Sequence, residues 1–131
     1  MRDPQLIALR PQLDLDTTKA TPEEQFQNIT LRPILKLQHA LLVSIFKHGI
    51  AKHRNVYQNL PQKERMLLIA GLVRKDHKMR QLLAGTIIGQ FTMEEYSNFQ
   101  ANEPALMRRL IALMVQRLQS VDLKMFDPNA T

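Results

Sequence analysis

Residues 92–121, TMEEYSNFQANEPALMRRLIALMVQRLQSV, decide the fold class of this 131-residue chain. Thr92, followed three residues later by Glu95, forms a capping box that begins a helix. Pro104 then suits the first turn of a second helix. Apolar residues recur along that second helix at spacings of three and four, which predicts an amphipathic helix. They are Met107, Leu110, Ile111, Met114, Leu118 and Val121.

Four earlier stretches carry similar signals, which combine helix-start residues with an apolar period of 3.6 residues. Thr21-Pro22-Glu23-Glu24 begins one helix, which Pro33 is expected to end or kink. Further helices are predicted over residues 33–48, 61–75 and 76–90, the last of them capped by Asp76, and no stretch alternates as a strand does. We therefore expect an all-α protein, a compact bundle of five or six helices over residues 21–121.

Both ends of the chain are predicted to lie outside this bundle. Pro4, Pro11 and the polar cluster at residues 14–18 disfavour a helix in residues 1–20, so we expect an extended N-terminal arm. Residues 51–59 are polar and are predicted to form a loop. Residues 122–131 are predicted to form a C-terminal tail.

Composition excludes several classes of protein. The chain contains no cysteine, which rules out disulfides, thiolate nucleophiles, Cys-ligated zinc and iron–sulfur clusters. No apolar run reaches the roughly 18 residues of a membrane span, and no signal-peptide pattern begins the sequence. We therefore expect a cytoplasmic protein without a cofactor.

The sequence offers few residues for catalysis. His48 and His53 are five apart, not the three or four that align ligands on one helical face. His39 interrupts an apolar helix and is expected to be a hydrogen-bonded boundary residue rather than a ligand. The paired glutamates at 23–24 and 94–95 are explained by their places at helix N-termini. We predict no catalytic residue, no metal site and no enzymatic activity.

Positive charge is concentrated in the middle of the chain. The net charge is +6, but residues 32–80 hold 11 lysines and arginines against 2 acids, a net +9. Such a segment suits either an anionic partner or a solvated face. The densest cluster falls at the predicted junction of two helices, which is typical of a helix-turn-helix. Its candidate nucleic-acid contacts are Arg74, Lys75, Lys78 and Arg80.

Gly85 and Gly89 lie four residues apart in the helix predicted for residues 76–90. A glycine inside a helix costs about 1 kcal/mol relative to alanine, so a compensating contact is expected. Close approach of another helix is the simplest one, with Ile88 at its edge. We predict a helix–helix contact at these three residues, either within the chain or between two subunits.

The run GTIIGQFTMEEYSNF, followed by EPALMRRLIALMVQRLQ, resembles a group of small bacterial proteins, some of which carry the name glyoxalase. The resemblance covers about the C-terminal third of the chain. That name implies βαβββ modules that bind a metal through His and Glu side chains on strands. This sequence has no strand pattern and no matching set of His and Glu, so no catalytic residue is carried over.

Taken together, these patterns predict a non-enzymatic helical interaction module that self-associates, most simply as a homodimer. The alternative is a nucleic-acid-binding protein that uses the basic junction at Arg74–Arg80.

Overall fold

Eight helices make up the part of the chain that the computed structural model describes, residues 2–13, 21–51 and 54–121. About 85% of these residues are helical and none lies in a strand, so the predicted all-α class is confirmed. The helices are α1 (Arg2–Leu9), α2 (Pro22–Leu37), α3 (His39–Gly49), α4 (Arg54–Asn59), α5 (Gln62–Lys75), α6 (His77–Ile88), α7 (Met93–Ala101) and α8 (Glu103–Ser120). The sequence pattern did not indicate α1 and α4, which accounts for the larger number.

The long helix α8 forms the centre of the bundle. Leu110, Met114 and Leu118 lie one turn apart on one face and are completely buried. Helices α3, α5 and α6 pack against α8. Each contributes two side chains that are also completely buried: Leu42 and Phe46, Ile69 and Val73, and Leu83 and Ile87. Burying one such side chain stabilises the fold by about 1.5–3 kcal/mol, so this shared core fixes the positions of α3 and α6.

Pro33 does not end α2, so that part of the prediction was wrong. A proline cannot donate a backbone hydrogen bond, and its ring presses on the carbonyl four residues earlier. The chain just before it, Gln27–Leu31, forms a π-helical turn in which the Arg32 amide donates to the carbonyl of Gln27, five residues back. This wider turn accommodates the proline ring, and the helix continues through Pro33 to Leu37.

The chain bends sharply at Gln38, where the axes of α2 and α3 differ by 66°. The Gln38 side-chain amide donates to the carbonyl of Thr86 on α6 at 3.1 Å, which anchors the bend. The helix predicted over residues 33–48 is therefore two elements, the second of which runs beside α6. No described helix is long and apolar enough to span a membrane alone, although α2 and α3 together meet that criterion as a bent pair.

Residues 51–59 contain the helix α4, where the sequence predicted a loop. Tyr57 is 1% exposed and belongs to the hydrophobic core. The guanidinium of Arg65 lies 6.0 Å from the centroid of its ring. Burial of this one aromatic side chain explains why a largely polar segment is ordered as a helix.

The N-terminal arm is helical over Arg2–Leu9 rather than extended. Pro4 does not prevent this helix, because it stands in the first turn, where its missing N–H has no helical partner to lose. None of the residues of α1 is buried. Polar contacts hold the arm to its own domain: Arg2 donates to the carbonyls of Gly89 and Phe91 at 2.7 and 2.8 Å. Residues 14–20 and the predicted tail at 122–131 lie outside the described residues.

The carboxylate of Glu95 joins the arm, α2 and α7. Its two oxygens accept hydrogen bonds of 2.7 Å from the guanidinium of Arg10. One oxygen also accepts from the hydroxyl of Thr30 in α2 at 3.1 Å. The other accepts from the backbone amide of Thr92 at 2.8 Å, which completes the predicted capping box. The side chains of Arg10 and Glu95 are 7% and 15% exposed, so the pair is largely removed from water.

We predict that Arg10→Ala or Glu95→Ala each lowers the free energy of unfolding by about 3–5 kcal/mol, because each leaves a buried charge without its partner. Urea unfolding of the single and double variants measures the coupling between the two residues. The exposed Arg2–Asp3 pair, whose charged atoms are 3.4 Å apart, is the control. Its coupling should not exceed about 1 kcal/mol. Equal coupling in both pairs would contradict the central role of Glu95.

Glu95 also makes stability depend on pH. Burial raises the pKa of its carboxyl, but the hydrogen bonds from Arg10, Thr92 and Thr30 and the charge of Arg10 outweigh burial and hold the pKa below its usual 4.5. A carboxyl with a depressed folded pKa stabilises fully above its unfolded pKa and loses that contribution as the pH falls through the folded value. We predict that the stability difference between the wild type and Glu95→Gln narrows as the pH falls below about 4.5. A difference that stays constant on acidification would refute this.

Candidate interaction surfaces

A shallow groove runs between α3 and α6, which lie antiparallel because Gln38 contacts Thr86 at one end and Gly49 approaches Met79 at the other. Its volume is about 460 Å³. Leu82 on α6, which lines the groove, is 53% exposed, and Leu41 on α3, one turn before the lining residue Ile45, is 47% exposed. The groove is lined by Ser44, Ile45, His48, Gly49, Asp76, Lys78, Met79 and Leu82.

Gly85 lies in the interior of α6 on the exposed side of the helix, one turn beyond Leu82. A Cβ atom added there would meet nothing within 4 Å. No described residue makes the helix–helix contact predicted at Gly85. The neighbouring Ile88 is partly buried and packs against the hydrophobic core. The part of the prediction that stays open is a contact between two subunits.

Gly89 is explained within the chain. It is the C-cap of α6 rather than an interior residue, so it carries no cost of helix propensity. A Cβ there would lie 3.0 Å from the carbonyl oxygen of Gly85, which is a tight approach. Its own carbonyl accepts the 2.7 Å hydrogen bond from Arg2. The prediction that Gly89 marks a helix interior was wrong, because the helix ends at Ile88.

The basic junction predicted between two helices is present, with Asp76 as the single residue between α5 and α6. Arg74, Lys75 and Lys78 are exposed there. Arg80 is partly buried and has a structural role: it donates to the carbonyl of Arg74 at 2.8 Å and lies 2.9 Å from His77 Nδ1. The carboxylate of Asp76 accepts from the amide of Met79 and caps α6, as predicted.

His39 has the hydrogen-bonding environment that its sequence position predicts. Its Nδ1 atom lies 3.3 Å from a guanidinium nitrogen of Arg117. Burial, and then the positive charge of Arg117, lower the pKa of this imidazole. In residues 2–13, 21–51 and 54–121, no group of three or more His, Asp or Glu side chains is arranged to hold a metal ion.

Besides the basic junction, the structure brings together two cations whose pairing the sequence did not predict, Arg32 on α2 and Arg117 on α8. The two side chains line one small cavity although they are 85 positions apart in the chain. Helical periodicity places each of them only on its own helix, and nothing in a single sequence pairs α2 with α8. The one signal for an anion site was the excess of positive charge in residues 32–80. That segment holds ten other lysines and arginines, so the excess does not single out Arg32.

Comparison of the chain with protein family models, with curated proteins and with solved structures finds no match. The resemblance to proteins named glyoxalase therefore stays a prediction.

Proposed function

We propose that the protein is a non-enzymatic helical interaction module that self-associates through the exposed side of α6. We call this surface the α6 face and define it as Leu82 and Gly85 of α6 together with Leu41 and Ile45 of α3. All four residues lie on the two antiparallel helices that border the groove, and both leucines leave about half of their surface in water.

The observation that carries the proposal is the open space above Gly85. A glycine in the interior of a helix costs about 1 kcal/mol relative to alanine, and nothing among the described residues requires it: its φ is not positive and no described atom lies within 4 Å of a Cβ built there. A glycine beside two exposed leucines leaves a gap between their side chains. Such a gap suits a side chain of a facing helix, as in the knobs-into-holes packing of coiled coils. The contact predicted from the sequence then lies between subunits.

A second copy of the chain is the partner whose charges suit this surface. Arg74, Lys75 and Lys78 make the N-terminal end of α6 basic, whereas the cation at the C-terminal end, Arg2, is accompanied by the carboxylate of Asp3. Two α6 helices that pack antiparallel about a two-fold axis near Gly85 place each basic end over the C-terminal end of the other. This arrangement separates like charges and closes as a dimer.

We predict that Gly85→Leu converts a dimer into a folded monomer, measured by sedimentation equilibrium against the 15.2 kDa mass of one chain. The leucine fills the space that the facing helix would occupy, while the isolated monomer has room for it. The helicity of the monomer should not fall, because leucine is a better helix former than glycine.

Gly71→Leu is the matched control. Gly71 also lies inside a helix, and a Cβ there also meets nothing within 4 Å, but it stands on α5 and is not one of the residues that define the α6 face. This variant should remain dimeric. A wild type that stays monomeric at high concentration, or a Gly85→Leu variant that dimerises as strongly as the wild type, would overturn the proposal.

One observation favours nucleic-acid binding as a second candidate function. His48 at the end of α3 and Lys78 at the start of α6 line the same groove, so the basic ends of α3, α5 and α6 meet at one end of the bundle. Asp76, the acid in this junction, is already engaged as a helix cap. A duplex backbone would find three exposed cations there, Arg74, Lys75 and Lys78, against this one carboxylate.

If this second function holds, duplex DNA should bind with an affinity that falls steeply with salt, because each neutralised phosphate releases counterions. The combined variant Lys75→Glu and Lys78→Glu should abolish binding, measured by fluorescence anisotropy. The control variant, Lys36→Glu with Lys63→Glu, changes the net charge by the same amount at exposed positions elsewhere. It should retain most of the DNA binding. Equal losses in both variants would indicate only a non-specific effect of net charge.

A further inference from the structure

A second site, separate from the α6 face, lies between α2 and α8. Its cavity has a volume of about 260 Å³. The guanidinium groups of Arg32 and Arg117 and the side-chain amide of Gln116 provide hydrogen-bond donors along its wall, and Leu35 and Leu113 provide apolar surface. We call this site the arginine pocket and define it by these five residues together with Ser120.

Among the residues that the structure describes, the two arginines have no carboxylate partner. The ion pairs among residues 2–13, 21–51 and 54–121 are Arg2–Asp3 and Arg10–Glu95, neither of which involves the arginine pocket. Burial, and then the positive charge of Arg32, lower the pKa of Arg117. The protonated guanidinium is therefore less favoured here than in water, and the repulsion between the two arginines disfavours the empty pocket.

Hydrogen bonds restrain both guanidinium groups. Arg32 donates from Nε to the side-chain oxygen of Asn28 at 2.9 Å, one turn earlier on α2. This bond leaves the two terminal nitrogens of Arg32 for another acceptor. One terminal nitrogen of Arg117 lies 3.3 Å from Nδ1 of His39. Because guanidinium groups that are already restrained lose less freedom on binding, the pocket is prepared for an anion.

We propose that the arginine pocket binds the phosphate group of a small molecule. A phosphate accepts paired hydrogen bonds from the planar fork of each arginine and carries the charge that offsets their repulsion. The hydroxyl of Ser120 already donates to the carbonyl of Arg117 at 2.6 Å, so Gln116 supplies the neutral donor.

Thermal melting with inorganic phosphate and with glycerol phosphate, each against potassium chloride at equal ionic strength, tests the proposal at slightly alkaline pH. Both phosphates should raise the melting temperature in a saturable way, and chloride should not. Arg32→Gln and Arg117→Gln should each weaken phosphate binding roughly tenfold or more, because each removes a charge-assisted contact. Without phosphate, both variants should melt no lower than the wild type, since the repulsion is relieved.

Arg108→Gln is the matched control, because Arg108 is an exposed arginine on α8 outside the pocket. It should keep the wild-type response to phosphate. Phosphate that stabilises no better than chloride, succinate that matches phosphate, or pocket variants that respond as the wild type does would each overturn the proposal.

His39 provides a readout that does not depend on melting. A bound phosphate beside Arg117 adds negative charge near the imidazole, so the pKa of His39 should rise when phosphate is added. Proton NMR of the histidine ring measures this shift. The shift should occur in the wild type and in Arg108→Gln and should be lost in Arg32→Gln. A pKa of His39 that is indifferent to phosphate in the wild type would contradict the site.

Discussion

The arrangement of the chain depends on one carboxylate. Glu95 completes the capping box of α7 and pairs with both terminal nitrogens of Arg10 in the N-terminal arm. It also accepts a hydrogen bond from a hydroxyl in the π-helical turn of α2. A carboxylate with this little exposure is stable only while such donors surround it. Arg2 in the arm also donates to two backbone carbonyls in the connection between α6 and α7. This polar cluster therefore fixes the end of α6, and with it the α6 face.

The helices that follow from local signals were predictable, and those that follow from distant contacts were not. Thr21, Thr92 and Asp76 cap the helices that the sequence assigns to them, because a cap is formed by residues two or three positions apart. The bend at Gln38 depends on a carbonyl of α6, and α4 depends on the burial of Tyr57. Neither contact has a signature in the nearby sequence.

The candidate surfaces divide in the same way. The propensity cost of Gly85 predicts a partner helix, but periodicity cannot say whether that partner belongs to the chain itself. The open space above the residue places any such partner outside the described chain. Arg80 was expected to contact an anion and instead holds the turn between α5 and α6, because a long cation at a helix junction also reaches the last carbonyls of the preceding helix.

Cross-linking at Gly85 tests the central claim, that two copies of α6 meet there, most directly. The natural chain has no cysteine, so the substituted cysteine is the one thiol in Gly85→Cys and in Gly71→Cys. A disulfide requires Cα atoms about 4.4–6.8 Å apart, a distance that residues at position 85 reach only across a close two-fold contact. The account predicts a covalent dimer after mild oxidation of Gly85→Cys and a monomer from Gly71→Cys. No cross-link at position 85, or equal cross-linking at both positions, would contradict it.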